Sequence, residues 1–157
     1  MGIAITVREY LEDLDIEYDI VEHPLNMTSV GIAHQADLPT NCLAKGVLLK
    51  DESDTLSLAV IPADRIVDLA RICKTLEHDV ELASEADVVK KFDDCDTGAV
   101  PPIGNAYALR VLLDERLTKE DEVYLEAGDH HGLVHVKGAE FRRLMSGAKN
   151  GAFSRAV

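Results

Sequence analysis

The stretch Gly98-Ala99-Val100-Pro101-Pro102-Ile103-Gly104 constrains this chain more than any other run of its residues. Each proline fixes its own φ and pushes the residue before it toward extended geometry. The flanking glycines permit conformations closed to other residues and let a second molecule approach the main chain. No side chain here can act as acid, base or nucleophile, so the loop offers backbone N–H and C=O groups at set positions. A plain turn has the same composition, and from this segment alone both readings stand.

Two β-rich runs precede the loop, Lys45–Asp51 and Leu56–Ile61, joined as a hairpin by the polar turn Glu52-Ser53-Asp54-Thr55. Val7, Tyr10, Leu11 and Leu14 recur at helical spacing, and Thr6 with Glu9 reads as a capping box that opens this first helix. Gly2 with Thr6 also fits a myristoylation pattern, but the helix cap is the preferred reading. A strand is expected over Glu17–Glu22, and a short helix over Ser29–Gln35 with Thr28 or Ser29 as its cap. Asp64 is expected to cap a helix that buries Ile66, Val67, Leu69, Ala70 and Cys73. Ser84 with Asp87 opens another, burying Ala86, Val88, Val89 and Phe92. Strands near Tyr107–Leu113, Glu122–Glu126 and Leu133–Val136 precede a closing helix with Phe141, Leu144 and Met145. Strands and helices mix without strict β-α alternation, which predicts an α+β fold: a single-layered core of mixed, largely antiparallel sheet packed with helices. The 157 residues are read as one domain, with a basic tail at 147–157 expected to be mobile.

Hydrophobic residues make up 46% of the chain with no long apolar run, which argues for a soluble globular protein and against a membrane span. The opening Met-Gly-Ile-Ala-Ile-Thr has no basic region followed by an apolar stretch, so a cytoplasmic protein is expected. Cys42, Cys73 and Cys95 lack C-x-x-C spacing and read as reduced thiols, with Cys73 and Cys95 as small buried or half-buried side chains. The net charge of −13 weighs against nucleic-acid partners. It is uneven, however: residues 137–157 hold five basic residues against one acidic, whereas Glu12, Asp13, Asp15, Glu17, Asp19 and Glu22 crowd the N-terminal segment as a solvated face.

The lysine-headed strand Lys45-Gly46-Val47-Leu48-Leu49-Lys50-Asp51, the strand ending Ile61-Pro62-Ala63-Asp64 and the Gly98–Gly104 loop together resemble the YbaK/EbsC-like domains, relatives of the editing domain inserted in bacterial prolyl-tRNA synthetases. The resemblance continues through Val111-Leu112-Leu113-Asp114-Glu115 and Val123-Tyr124-Leu125-Glu126-Ala127-Gly128, and so covers nearly the whole chain. It implies hydrolysis of the ester that joins a wrongly attached amino acid to the 3′-terminal adenosine of a tRNA, with tRNA(Pro) expected. The alternative is a non-catalytic aminoacyl- or nucleotide-binding module of the same fold. A plain interaction domain would require a closed cleft.

Lys45 and Lys50 lie five apart and face opposite sides of a regular strand. Lys45, between the small residues Ala44 and Gly46, is the inward candidate; Lys50, beside the polar hairpin turn, is read as solvated. The resemblance makes Lys45 the main functional side chain. It gives the loop backbone, with Gly98 and Gly104 at its ends, the task of an oxyanion hole, and lets the substrate's neighbouring hydroxyl activate the attacking water. Ala99, Val100, Pro101, Pro102, Ile103, Gly128 and His130 are the expected substrate contacts, with His131 as the alternative to His130. Asp129-His130-His131 with His135 invites a metal reading. It is set aside because no further cluster of Asp and His ligands supports it, so neither metal nor cofactor is expected. His23, in Glu22-His23-Pro24, is read as structural, and Asp114 as a strand-end carboxylate. The expected partners are the aminoacyl end of a mischarged tRNA and an aminoacyl-tRNA synthetase, with no membrane and no DNA. Arg142, Arg143, Lys149 and Arg155, with Lys45 and Lys74, are the expected phosphate contacts.

Overall fold

A computed structural model describes residues 3–22 and 39–157. The expected helix at Ser29–Gln35, His23 and the Gly2 pattern lie outside the described residues. Four helices are described: α1 (Ile5–Asp13), α2 (Leu69–Leu76), α3 (Glu85–Lys91) and α4 (Gly138–Leu144). The strands are β1 (Asp19–Glu22), β2 (Leu43–Asp51), β3 (Leu56–Pro62), β4 (Arg65–Val67), β5 (Val80–Leu82), β6 (Arg110–Asp114), β7 (Glu122–Glu126), β8 (Gly132–Lys137), β9 (Lys149–Gly151) and β10 (Ser154–Ala156). The main sheet runs β1-β8-β7-β2-β3-β6-β9, with β5 also on β2; β4 and β10 pair separately. It is mixed: β2 with β7, β3 with β6 and β6 with β9 are parallel, and the other pairs antiparallel.

Alternation along the central strands separates two apolar clusters. Leu48, Leu58 and Val111 pack with Val7 and Leu11 of α1 and Phe141 and Leu144 of α4. Their chain neighbours Leu49, Ala59 and Leu112 pack on the opposite face with Ile72 of α2 and Phe153. With cover on both sides, β3 is buried from Ser57 through Pro62, which explains why its sequence is nearly continuous in apolar residues. The hairpin turn forms where expected: Asp51 Oδ1 accepts the N–H groups of Ser53 (2.8 Å) and Thr55 (2.9 Å). Residues 147–157, expected as a tail, instead supply β9, β10 and the buried Phe153, tied in by Asp114 Oδ2, which accepts from Ser154 Oγ at 2.6 Å.

Three helix starts bear on the sequence reading. Ser84 and Asp87 form the reciprocal capping box, although Ala86 and Val89 are exposed and Phe92 makes the burial there. Asp68, rather than Asp64, caps α2, because Arg65–Val67 is taken up as β4 against β10 before the helix can begin. In α1, Thr6 is already helical and Ala4 is the N-cap, with no side-chain cap from its own residues. Asp94 supplies the acceptor: its Oδ2 takes the Thr6 N–H at 2.9 Å, and its Oδ1 takes the Tyr107 hydroxyl at 2.9 Å. A long-range carboxylate thus replaces the local box.

The sheet is incomplete along one edge of β2. There β7 pairs only with Leu43 and Ala44, and β5 only with Leu49–Asp51. Between them, residues 45–48 have no partner strand on that edge among the described residues.

Partial burial pushes the Asp94 carboxyl up, but the hydrogen bonds from Thr6 and Tyr107 outweigh it and hold the group below the usual carboxylate range. A depressed folded-state pKa gives stability that is present above the unfolded value and lost as pH falls through the folded one. We predict that Asp94→Ala costs about 1–3 kcal/mol at pH 7, from a lost helix cap and a tyrosine hydroxyl left with only the Cys95 thiol as partner. Urea unfolding at pH 7 and pH 3 checks this; the difference between the two proteins should shrink at the lower pH.

Candidate functional site

The proline loop and the β7–β8 connection are fastened to each other. Ala99 N–H donates to Asp96 O at 2.9 Å and closes a turn with Thr97 and Gly98 at its tip, where Gly98 adopts φ +82°. That left-handed value at the third turn position is one that glycine takes without steric cost. Asp96 N–H then donates to Gly128 O at 2.7 Å, linking the two loops through their backbones. In the second loop Asp129 is buried, and its Oδ1 accepts the N–H groups of His131 (3.0 Å) and Gly132 (2.9 Å). This holds His130 at φ +60°.

His130 completes the clasp. Its Nε2 lies 2.7 Å from Thr97 O, and a carbonyl only accepts, so Nε2 carries the proton. In the neutral ring Nδ1 then carries the lone pair. It is buried and has no hydrogen-bond partner among the described residues, and His130 as a whole is only 3% exposed. A buried polar atom left unpaired costs free energy and calls for a reason.

Each expected backbone contact has a definite place. Gly98 is exposed, and a Cβ on it would stand 3.7 Å from His130 Cε1, in ordinary contact. Ala99, Pro101, Pro102, Ile103 and Gly104 are buried and Val100 half-buried, so Thr97 and Gly98 carry the exposed backbone of this segment. Gly104 is wedged into the core, with Val111 Cγ2 only 2.5 Å from where its Cβ would be. Gly128, at φ +106°, packs on Ala4 and on Cys95 Sγ. The loop rests on the sheet at Gly46, whose missing side chain leaves room for Val100 Cγ1 and Pro102 Cα, each 3.3 Å from the Cβ position.

Lys45 and Lys50 differ as a strand alternation requires. Lys50 Nζ is 3.2 Å from Asp87 and 3.8 Å from Asp54, which holds its ammonium above the usual lysine range. Lys45 is half-buried, between Leu43 and Val47 on its face of β2, and makes no hydrogen bond or ion pair among the described residues. Burial pulls its pKa below the ordinary lysine value, and the charge of Asp64 partly opposes this. Lys45 and Gly46 point to opposite faces, so the ammonium and the proline loop are reached together only from the open edge of β2. On that edge β7 runs parallel to β2, which brings its end, and the loop to His130, alongside Lys45.

The remaining candidates are occupied elsewhere. His135 stacks on Tyr124, with its Nδ1 2.7 Å from Asp19 and its Nε2 2.8 Å from Glu122, so it braces the edge strand β1. Among the described residues no group of three or more His, Cys, Asp or Glu is placed to hold a metal ion. Burial pushes the Cys95 thiol up to about 12, which leaves no thiolate for chemistry near neutral pH. Cys73 Sγ accepts the Val80 N–H at 3.3 Å. Two contributors escaped sequence reasoning. Thr97 acts through its carbonyl, which no side-chain pattern announces. Asp129 was visible as Asp-x-x-Gly, a turn signal that the neighbouring histidines overshadowed.

The family model of the aminoacyl-tRNA editing domain matches residues 23–144. Among solved structures, a proposed trans-editing enzyme for prolyl tRNA synthetase is 20% identical, with TM-score 0.81 over 99% of this chain and all of that one. A protein described only as hypothetical is also 20% identical, with TM-score 0.84 over 96% of this chain and 99% of its own. A proposed signal transduction protein from Marinobacter aquaeolei VT8 is 18% identical, with TM-score 0.79 over 98% of this chain and 31% of its own. At these identities the likeness shows the fold. No curated protein matches the sequence.

The two loop glycines separate packing from exposed backbone. Gly104→Ala should cost about 1–3 kcal/mol through overpacking against Val111. Gly98→Ala should cost about 1–2 kcal/mol, through its positive φ alone. Denaturant unfolding measures both, and a Gly104→Ala protein as stable as the parent would contradict this packing.

Proposed function

Because this chain belongs to the aminoacyl-tRNA editing domain family, we propose that it is a trans-acting deacylase that removes a wrongly attached amino acid from tRNA, with tRNA(Pro) as the carrier. The observation that carries the reading is His130, locked by Thr97 O with its other nitrogen bare and buried beside the Gly98 turn. An aminoacyl ester brings hydrogen-bond donors to such an acceptor in its α-ammonium and in the ribose hydroxyl next to the ester.

In this mechanism His130 Nδ1 accepts from the vicinal hydroxyl, which orients the attacking water. Negative charge then builds on the ester carbonyl as water adds, and exposed N–H groups of the Thr97–Gly98 turn stabilise it. Lys45, half-buried and without a hydrogen bond or ion pair among the described residues, supplies the nearby cation. The bond from the acyl carbon to the ribose oxygen breaks and that oxygen takes up a proton, which leaves free amino acid and deacylated tRNA. No redox change or cofactor enters this balance.

Phosphate contacts fall to few residues. Arg143 is engaged by Glu140 and by the Leu14 carbonyl, and Arg142 donates to the Thr118 carbonyl. We assign the contacts to Lys74, Lys149 and Arg155, all exposed, together with Lys45. Binding is then weak, with a shallow salt dependence, and delivery by a synthetase would compensate.

The test is release of free amino acid from tRNA(Pro) charged with Ala, Cys or Ser. Lys45→Ala and His130→Ala should each lower kcat by about 10²-fold or more, while Lys50→Ala stays near the parent. Because burial lowers the Lys45 pKa, activity corrected for spontaneous ester hydrolysis should decline with rising pH before the ordinary lysine range is reached. Binding of all three charged tRNAs without release of amino acid would favour a non-catalytic module.

A further inference from the structure

The stretch of β2 between its ladders with β7 and β5 leaves the N–H and C=O of one residue, Gly46, directed into the gap beside Lys45. Ala83 N–H donates to Leu48 O at 2.9 Å, so even-numbered residues of β2 turn their main-chain groups toward the edge shared by β7 and β5. Leu43 O instead accepts from Ala63 at the end of β3, as expected for odd-numbered residues. The N–H and C=O of Gly46 therefore point into the gap. Neither has a strand partner among the described residues, because the ladder with β7 ends at Ala44 and that with β5 begins at Leu49.

The surroundings of this unit mark it as more than a frayed edge. Gly46 is half-buried in the middle of β2, with β3 paired on its other side. The proline loop lies over it, and Lys45 precedes it. A half-buried donor and acceptor with no partner among the described residues go against the tendency of enclosed backbone to be satisfied. Its donor and acceptor are set side by side, as in a residue of an antiparallel strand waiting for its partner.

We propose that Gly46 binds the aminoacyl group as a one-residue β-bridge, an inference that rests on the deacylase reading and deepens it. The amino acid of an aminoacyl ester carries an α-ammonium and a carbonyl oxygen in the same relation as the N–H and C=O of a chain residue. Its ammonium donates to Gly46 O, and its carbonyl oxygen accepts from Gly46 N–H. This is β-augmentation reduced to a single residue. The Gly46 N–H is then a second oxyanion donor, in addition to the Gly98 turn. Recognition of this kind reads the amino-acid backbone common to all substrates, and leaves the choice of side chain to the walls of the gap.

The experiment replaces the Gly46 peptide by an ester, with glycolic acid at position 46, which exchanges the N–H for oxygen and adds no bulk. Circular dichroism and thermal unfolding establish that the protein folds. The expected result is a fall in kcat of about 10²-fold for mischarged tRNA, the scale for loss of one oxyanion donor. In the unmodified protein, a non-hydrolysable amide analogue, 3′-aminoacylamino-3′-deoxyadenosine, should slow hydrogen exchange at the Gly46 amide. A folded ester-46 protein that keeps full activity overturns the inference. So does an analogue that perturbs His130 while Gly46 exchange stays unchanged; in both cases the deacylase reading survives. An analogue that perturbs neither residue, with no deacylation by the parent protein, overturns both.

Discussion

The hydrogen bond from His130 Nε2 to Thr97 O is the contact on which the site depends. It fixes the histidine tautomer, pins the Gly98 turn, and joins the loop after β7 to the loop before β6, two segments that share no strand pairing. Without it, the left-handed conformations at Gly98 and His130 would each have to be held by their own turns alone. Asp129 and the Asp96–Gly128 backbone bond prepare the two sides, and the imidazole closes them.

The sheet supplies the other half of the arrangement. Because β7 leaves β2 after two residue pairs and β5 joins it only near its end, the strand has a gap among the described residues where Lys45 is half-buried and Gly46 carries the proline loop. A continuous ladder would saturate this backbone. In the proposed function this edge, open among the described residues, is where a cation on one face and a rigid loop on the other would act on one small ligand.

Much of this was legible in the sequence because it is local. The hairpin of β2 and β3, the Ser84 box and the closing helix follow from turn chemistry and periodicity within a few residues. Lys45 and Lys50 were separable by strand alternation, but Lys50, read as solvated, is half-buried and paired with Asp87 of α3, a partner that no local pattern announces. What could not be read has a non-local cause. Thr6 and Glu9 have the pattern of a capping box, yet Asp94, distant in sequence, caps that helix, and no local pattern encodes such a partner. Asp64 resembled a helix cap because β4 depends on β10 at the far end of the chain. Gly104 looked equivalent to Gly98, and only the packing of Val111 tells core from turn. The gap in β2 is a property of strand order, which hydrophobic pattern does not specify.

The central claim is that the bare nitrogen of His130 receives a donor from the aminoacyl end of tRNA. Long-range ¹H–¹⁵N spectra of the histidine ring test it directly, recorded on the free protein and on protein saturated with the amide analogue. The account predicts a protonated Nε2 and an unprotonated Nδ1 in the free protein, with the Nδ1 resonance moving toward a hydrogen-bonded value when the analogue binds. A free protein with the opposite tautomer, or an Nδ1 resonance that stays in place at saturation, would contradict it.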